Sequence, residues 1–221
     1  MKPNLIIIDR DGTLVEDEDY YLGSDPKWKS QIKILPGVAE GIKILNLLSN
    51  TYLAIITNQA GVALKGSQFD ELTLERAVEV NDYIMAKLAE QGAIIQAQFI
   101  CPYVSEDYVE KALQKGRSVN SQYVHTNHPD AKPNVGLIQK AARYFGHALE
   151  DYNVHIIGDR LSDVEMALRV NGQGHLVTSW KTRQVGDEEK VKALSQIHPQ
   201  ILHIYNNFLE AAHYISSNKT N

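Results

Sequence analysis

The chain has 221 residues, a formal net charge of −5, 43% hydrophobic and 22% charged residues, and one cysteine. That length and balance suit a single soluble globular domain over 1–221 and exclude a fibrous or disordered chain. One cysteine excludes an internal disulfide framework, and no apolar run is long enough for a membrane span. The first element is the run Ile6-Ile7-Ile8, a short β-branched stretch that reads as a buried strand. It delivers Asp9-Arg10-Asp11-Gly12-Thr13-Leu14 into the turn that follows. Alternation along an extended chain points Asp9 and Asp11 the same way, with Arg10 directed elsewhere. Gly12 permits a tight backbone, and Thr13 suits a cap or a loop hydrogen bond. Two acids at the end of a buried strand are costly to leave unpaired, so a cation with chemistry is the economical reading. An Asp-x-Asp-Gly turn also occurs in plain loops and in calcium sites.

Further along, Pro36-Gly37-Val38 opens a helix over 36–49, with Val38, Ile42, Leu45 and Leu48 at helical spacing. Leu53-Ala54-Ile55-Ile56 is a second buried strand, ending in Thr57-Asn58-Gln59. A threonine hydroxyl with neighbouring donors can hold a phosphoryl oxygen, although the same residues also make ordinary turns. Another helix is expected over 69–91, ended by Gly92, and another strand over 97–101. Residues 103–130 read as an extended loop, irregular or partly helical. Ala131-Lys132-Pro133-Asn134 reads as a helix entrance running to Phe145, with Pro133 near the first helical position and Lys132 beside its positive end. Val154-His155-Ile156-Ile157-Gly158 is a third buried strand, ending in Asp159 with Asp163 four residues later. Asp163 suits a helix cap or first-turn acid equally well. Residues 164–169 should be helical, 175–177 a short strand, and 180–183 a polar stretch near the site entrance. Residues 201–205 suit an edge strand, and Asn206 or Asn207 could cap a closing helix. No histidine pair has metal-binding helical spacing, which leaves His125 and His128 to watch.

Each of these motifs is weak alone. In this order they place polar catalytic-type residues at the carboxyl edge of one parallel sheet. Over residues 4–180 the chain resembles the haloacid dehalogenase (HAD) superfamily of phosphohydrolases, carried by Asp9-Arg10-Asp11-Gly12-Thr13, Thr57-Asn58, Lys132-Pro133 and Gly158-Asp159 through Asp163. Leu35-Pro36-Gly37-Val38, Thr57 to Val62 and Cys101-Pro102 are closer still to the histidinol-phosphate and D,D-heptose 1,7-bisphosphate phosphatase group. The resemblance implies an α/β fold, a Rossmann-like parallel sheet flanked by helices, without a large cap domain. It also implies a Mg²⁺-dependent phosphatase acting through an aspartyl-phosphate. In that scheme Asp9 is the nucleophile and Asp11 the acid and base. Asp9, Asp159 and the backbone carbonyl of Asp11 hold the metal. Thr57, Asn58 and Lys132 bind the phosphoryl group, and Asp163 is supporting, orienting Lys132 or a metal-bound water.

The chain departs from that group around its structural zinc loop. Cys101-Pro102-Tyr103 stands where Cys-Pro-His is usual, and His128 and Asp130 align with two later cysteines. A structural zinc usually takes four ligands rich in thiolate and imidazole, so structural zinc is not expected here. Ala131 replaces an arginine that helps the group recognise its substrate's other phosphate. The expected substrate is a small phosphate monoester, a sugar phosphate such as the heptose 1,7-bisphosphate. Alternatives are histidinol phosphate, a polynucleotide 3′-phosphate, or a catalytically silent binding protein on the same fold. The acidic balance argues against nucleic acid as a partner, and a cytoplasmic location is expected.

Overall fold

In a computed structural model, residues 2–17, 21–66 and 68–218 are described. The chain runs β1 (Asn4–Ile8), α1 (Trp28–Gln31), α2 (Val38–Asn46), β2 (Thr51–Asn58), β3 (Leu64–Lys65), α3 (Leu74–Ala89), β4 (Ala97–Cys101), α4 (Glu106–Gln114) and β5 (Ser118–Val119). It continues with α5 (Gly136–Tyr144), β6 (Asn153–Gly158), α6 (Leu161–Arg169), β7 (Gln173–Val177), α7 (Trp180–Gln184), α8 (Asp187–Ile197), β8 (Leu202–Tyr205) and α9 (Phe208–Ser217). Six strands form one sheet in the order β4-β2-β1-β6-β7-β8, each pairing parallel. The expected Rossmann-like α/β architecture is therefore present. From β1 the chain first winds outward through β2 and β4, then through β6, β7 and β8. This reversal opens a crevice at the carboxyl ends of the central strands, where ligands of such sheets bind.

Side-chain alternation divides the core into two layers. Ile6, Ile8, Leu53 and Ile55 meet Ile42 of α2, Ile84 of α3 and Phe208 of α9 on one face. Leu5, Ile7, Ala54 and Ile56 meet Leu137 and Ala141 of α5 and Met166 of α6 on the other. Burial on both faces explains why the central strands read as continuous apolar runs. Each buried Ile or Leu contributes about 1.5–3 kcal/mol relative to exposure.

Several boundaries differ from the sequence reading. The helix expected from 69 begins at Leu74, because Thr73 Oγ1 accepts from the Arg76 amide (3.1 Å) and the Leu72 amide bonds back to Phe69 O (2.8 Å) in a turn. The helix expected at Pro133 begins at Gly136. Bonds from Ala131 N to His128 O, Asn134 N to Ala131 O and Gly136 N to Pro129 O keep 128–136 in successive turns. Lys132 therefore comes from a turn rather than from a helix end. The segment read as an extended loop carries α4, capped by Ser105, and β5, which pairs antiparallel with β3. Leu64, Phe69 and Ala112 pack with Tyr21, Tyr108 and Val119 to hold it against the sheet edge.

The strands also bring together histidines that are distant in sequence. His155, His175 and His203 stack across β6, β7 and β8, with ring centroids 5.4 and 5.6 Å apart. Burial keeps them neutral: His155 is lowered from 6.5 to about 4, and His175 lies well below its ordinary value. A base depressed in this way stabilises the fold above its unfolded value, and that contribution is lost as pH falls toward about 4. Between pH 7 and pH 5, His155→Leu should lessen the loss of unfolding free energy by about 2 kcal/mol, as urea titrations at the two pH values would show. An unchanged pH difference would contradict this.

Candidate active site

Asp9 follows β1, Thr57 and Asn58 end β2, and Asp159 follows β6, so three adjacent strands aim their ends into one crevice. An open cavity of about 580 Å³ lies there, and Asp9, Asp11, Thr57, Asn58, Lys132, Asp159 and Asp163 all line it. Its size suits a small organic ligand.

The floor is a buried charge cluster. Lys132 Nζ donates to Asp9 Oδ1 (2.5 Å) and Asp163 Oδ1 (2.8 Å), with its own side chain 5% exposed. Asp163 also accepts from the Arg160 amide at 3.1 Å, so it caps α6 and holds Lys132 at the same time. Asp159 receives Ser179 Oγ at 2.7 Å on Oδ2, while Thr182 Oγ1 donates to its backbone carbonyl at 2.6 Å. Its Oδ1 is buried without a hydrogen-bond partner. Two glycines permit this crowding: a Cβ on Gly12 would overlap the Asp159 carboxylate, and one on Gly158 would overlap Asp163.

One ligand oxygen from each of Asp9, Asp159 and Asp163 lies within 4.8 Å of the others. Three acids against one lysine leave excess negative charge in a dry place. Burial raises Asp9 from 3.8 to about 7 despite the pull of Lys132. Burial and the nearby Asp9 raise Asp159 from 3.8 to about 8. Burial opposes charging of Lys132, but Asp163 and Asp9 outweigh it and hold the ammonium above its ordinary value. An orphaned buried carboxylate oxygen in a cluster of hard oxygen donors fits a Mg²⁺-type cation.

Asp11 sits at the rim, its carboxylate outside that group of three. Arg10, expected to point away, is folded back and buried. It grips Asp11 through Nε (3.1 and 3.2 Å) and Nη2 (2.9 Å), and donates Nη1 to Asn81 of α3 (3.1 Å). Strand alternation stops at Ile8, because bonds from Gly12 N to Val15 O and Leu14 N to Arg10 O turn the chain. Gln59 Nε2 bridges Asp11 Oδ2 (2.9 Å) and Thr57 Oγ1 (2.8 Å). The Asn58 side-chain carbonyl accepts from the Lys132 amide (3.1 Å), anchoring the turn that delivers the lysine.

Arg10, Gln59 and Ser179 are thus site residues that sequence reasoning did not assign. Arg10 and Gln59 lie inside the motifs, whereas Ser179 arrives by long-range packing that no local pattern announces. The polar stretch at 180–183 does supply the rim: Lys181 lines the cavity and pairs with Asp17 at 2.7 Å.

Two of the residues aligned with a zinc loop stay together: the Asp130 amide donates to His128 Nδ1 at 3.1 Å, and that nitrogen lies 3.9 Å from the Asp130 carboxylate. His128 stacks on Tyr103 with centroids 3.8 Å apart, Asp130 pairs with Lys140, and the buried Cys101 thiol faces the Tyr103 carbonyl at 3.9 Å. They do not form a close ligand group among the described residues. Burial also pushes the Cys101 thiol up to about 11, away from the thiolate that zinc prefers.

A parallel sheet bearing a buried aspartate cluster and a lysine at its carboxyl edge is an arrangement suited to phosphoryl chemistry. A family model described as HAD-hydrolase-like matches residues 130–211. The D-glycero-β-D-manno-heptose-1,7-bisphosphate 7-phosphatase of Rhodopseudomonas palustris is 33% identical over 162 residues, 72% of this chain and 75% of that protein. The enzyme of the same name from Bordetella bronchiseptica is 28% identical over 180 residues, covering 81% and 83%. A solved structure of the B. bronchiseptica D,D-heptose 1,7-bisphosphate phosphatase, complexed with magnesium and phosphate, superimposes with a TM-score of 0.68 at 22% identity, covering 98% of this chain and 99% of that one. The chain belongs to this family of HAD-like phosphatases. No helix among the described residues is long and apolar enough to cross a membrane.

Proposed function

We propose that the chain is a Mg²⁺-dependent phosphatase of a small sugar phosphate such as D-glycero-D-manno-heptose 1,7-bisphosphate, working through an aspartyl-phosphate. The observation that carries this reading is the Asp9 carboxylate, held by Lys132 at 2.5 Å on the floor of a cavity large enough for a sugar phosphate.

Asp9, Asp159 and the backbone carbonyl of Asp11 would hold the cation. Once bound, it would neutralise charge on the nucleophile and the phosphoryl oxygens. Asp9 attacks phosphorus in line, forming a P–O bond as the bond to the sugar oxygen breaks. Asp11, at the rim where a leaving group would lie, gives its proton to that oxygen. It then takes a proton from the water that cleaves the aspartyl-phosphate, and so returns to its starting state. Arg10 and Gln59 donate to the Asp11 carboxylate and orient it at the rim for the transfer in which it accepts a proton from water. Thr57, Asn58 and the neighbouring amides position the phosphoryl oxygens, and Lys132 offsets their charge. Asp163 keeps Lys132 in place.

Phosphate release from a panel of sugar monophosphates and bisphosphates, with and without Mg²⁺, tests the reading. Release that is absent, or unaffected by Mg²⁺, would overturn it. The division of labour between two acids makes a separate prediction. Asp159→Asn should weaken Mg²⁺ binding at least about tenfold by removing a charged ligand, while Asp11→Asn, whose proposed metal contact is a backbone carbonyl, should change it little. Calorimetric titration of both variants with Mg²⁺ decides the matter. Equal losses would show the assignment to be wrong.

A further inference from the structure

The cavity lining also carries two cations that the mechanism does not use. These are Lys115 and Arg117, delivered by the segment between α4 and β5. Every other cation around the cavity is paired with an acid: Lys132 with Asp9 and Asp163, Arg10 with Asp11, Arg160 with Asp187, and Lys181 with Asp17. Among the described residues, neither Lys115 nor Arg117 has a carboxylate partner.

Arg117 is nevertheless held in place. Its Nη1 donates to Tyr21 Oη at 2.9 Å, and its guanidinium lies over the Tyr21 and Phe69 rings, 5.4 and 5.6 Å from their centroids. The two rings are themselves packed edge to face at 5.3 Å. The hydrogen bond uses one of five guanidinium N–H groups, which leaves a fork suited to two oxygens of one anion. Gly116, in the left-handed region at φ 68°, reverses the chain after α4 and sets Lys115 close to Arg117 in sequence on the same turn. Fixing an arginine on aromatic faces lowers the ordering cost of binding an anion. A cavity of about 580 Å³ also exceeds what a bare phosphate at Asp9 would occupy.

We propose that Arg117, with Lys115 beside it, is a specificity-determining site for a second phosphate on the same substrate molecule. The proposal rests on the reading of Asp9 as the group that attacks the first phosphate. The α4–β5 insertion is then part of substrate selection as well as a cover at the sheet edge. The uncharged Ala131, next to Lys132, supplies no cation for this role.

The test uses two probes that differ by one group, D-glycero-D-manno-heptose 1,7-bisphosphate and the corresponding 7-phosphate. Binding of each to the full chain with Mg²⁺ is measured by calorimetry in an Asp9→Asn background, so that no probe is consumed. The expected result is a preference for the bisphosphate of at least about tenfold, lost in Arg117→Ala and reduced in Lys115→Ala. Lys115 is exposed, so its variant guards against a packing defect at Arg117. In the Asp9-containing chain the same substitutions should lower the bisphosphate-to-monophosphate ratio of kcat/KM mainly through KM. Equal affinity for both probes, or a preference that survives both substitutions, would overturn the proposal. Phosphate release from p-nitrophenyl phosphate by the unsubstituted chain separately tests the phosphatase reading, so the two failures are distinguishable.

Discussion

Asp9→Asn should abolish turnover, lowering kcat at least about a thousandfold, while leaving a folded protein. An amide oxygen is a poor nucleophile toward phosphorus and contributes no negative charge to a cation. The accompanying effect on stability separates this from damage to the fold. Asp9 is buried, and its folded value of about 7 stands well above its ordinary 3.8. An acid raised in this way favours the fold at low pH, and that contribution is lost as pH rises through about 7. At pH 8 without divalent cations, the ionised Asp9 is therefore a burden that asparagine removes. Lys132 keeps its 2.8 Å contact with Asp163 in the variant. Thermal melting at pH 8 without Mg²⁺ should show a midpoint no lower than that of the unsubstituted chain. A folded variant with unsubstituted rates of phosphate release would remove Asp9 from the mechanism.

The parts of this site that were legible in the sequence are those tied to buried parallel strands. Ile6 to Ile8 and Leu53 to Ile56 are apolar on both faces, and Val154 to Ile157 is so apart from His155, so each strand announces itself and points to the residue at its end. Asp9, Thr57 and Asp159 could be found that way, and α9 with its Asn207 cap was also readable, from a polar residue preceding an apolar stripe. Three kinds of feature were not legible. Arg10 folds back because the loop abandons strand alternation, and a loop has no period to read. Ser179 reaches the site through the packing of α7, which it caps, a tertiary relation without a local signal. The pairing of β3 with β5 involves two residues on each strand, below the length at which alternation carries information. The histidine stack was hidden for a similar reason: each imidazole sits within an ordinary strand, and inter-strand register alone brings them together.

Lys132→Met should be the most damaging single substitution for the fold at this site, and should also lower kcat/KM about a hundredfold or more. The methionine approximates the aliphatic stem but leaves Asp9 and Asp163 as buried acids without their shared cation. Breaking a buried ion pair from one side costs about 3–5 kcal/mol, because the remaining charge is stranded in a dry environment. Arginine should not rescue the variant, since the side chain is 5% exposed and a wider planar head has no room between two carboxylates 2.5 and 2.8 Å from the ammonium. The pH dependence identifies the cause. Without Lys132, Asp9 loses the interaction that favours its charged form, so its folded value rises further above 3.8. The defect should then be largest at pH 8, where the stranded Asp9 must be ionised or bind a proton at a cost. It should shrink toward pH 5, where protonation neutralises it cheaply. Melting of the two chains without divalent cations, at pH 8 and pH 5, gives the comparison. A destabilisation of equal size at both pH values would mean that Lys132 contributes packing alone and that the charge cluster does not depend on it.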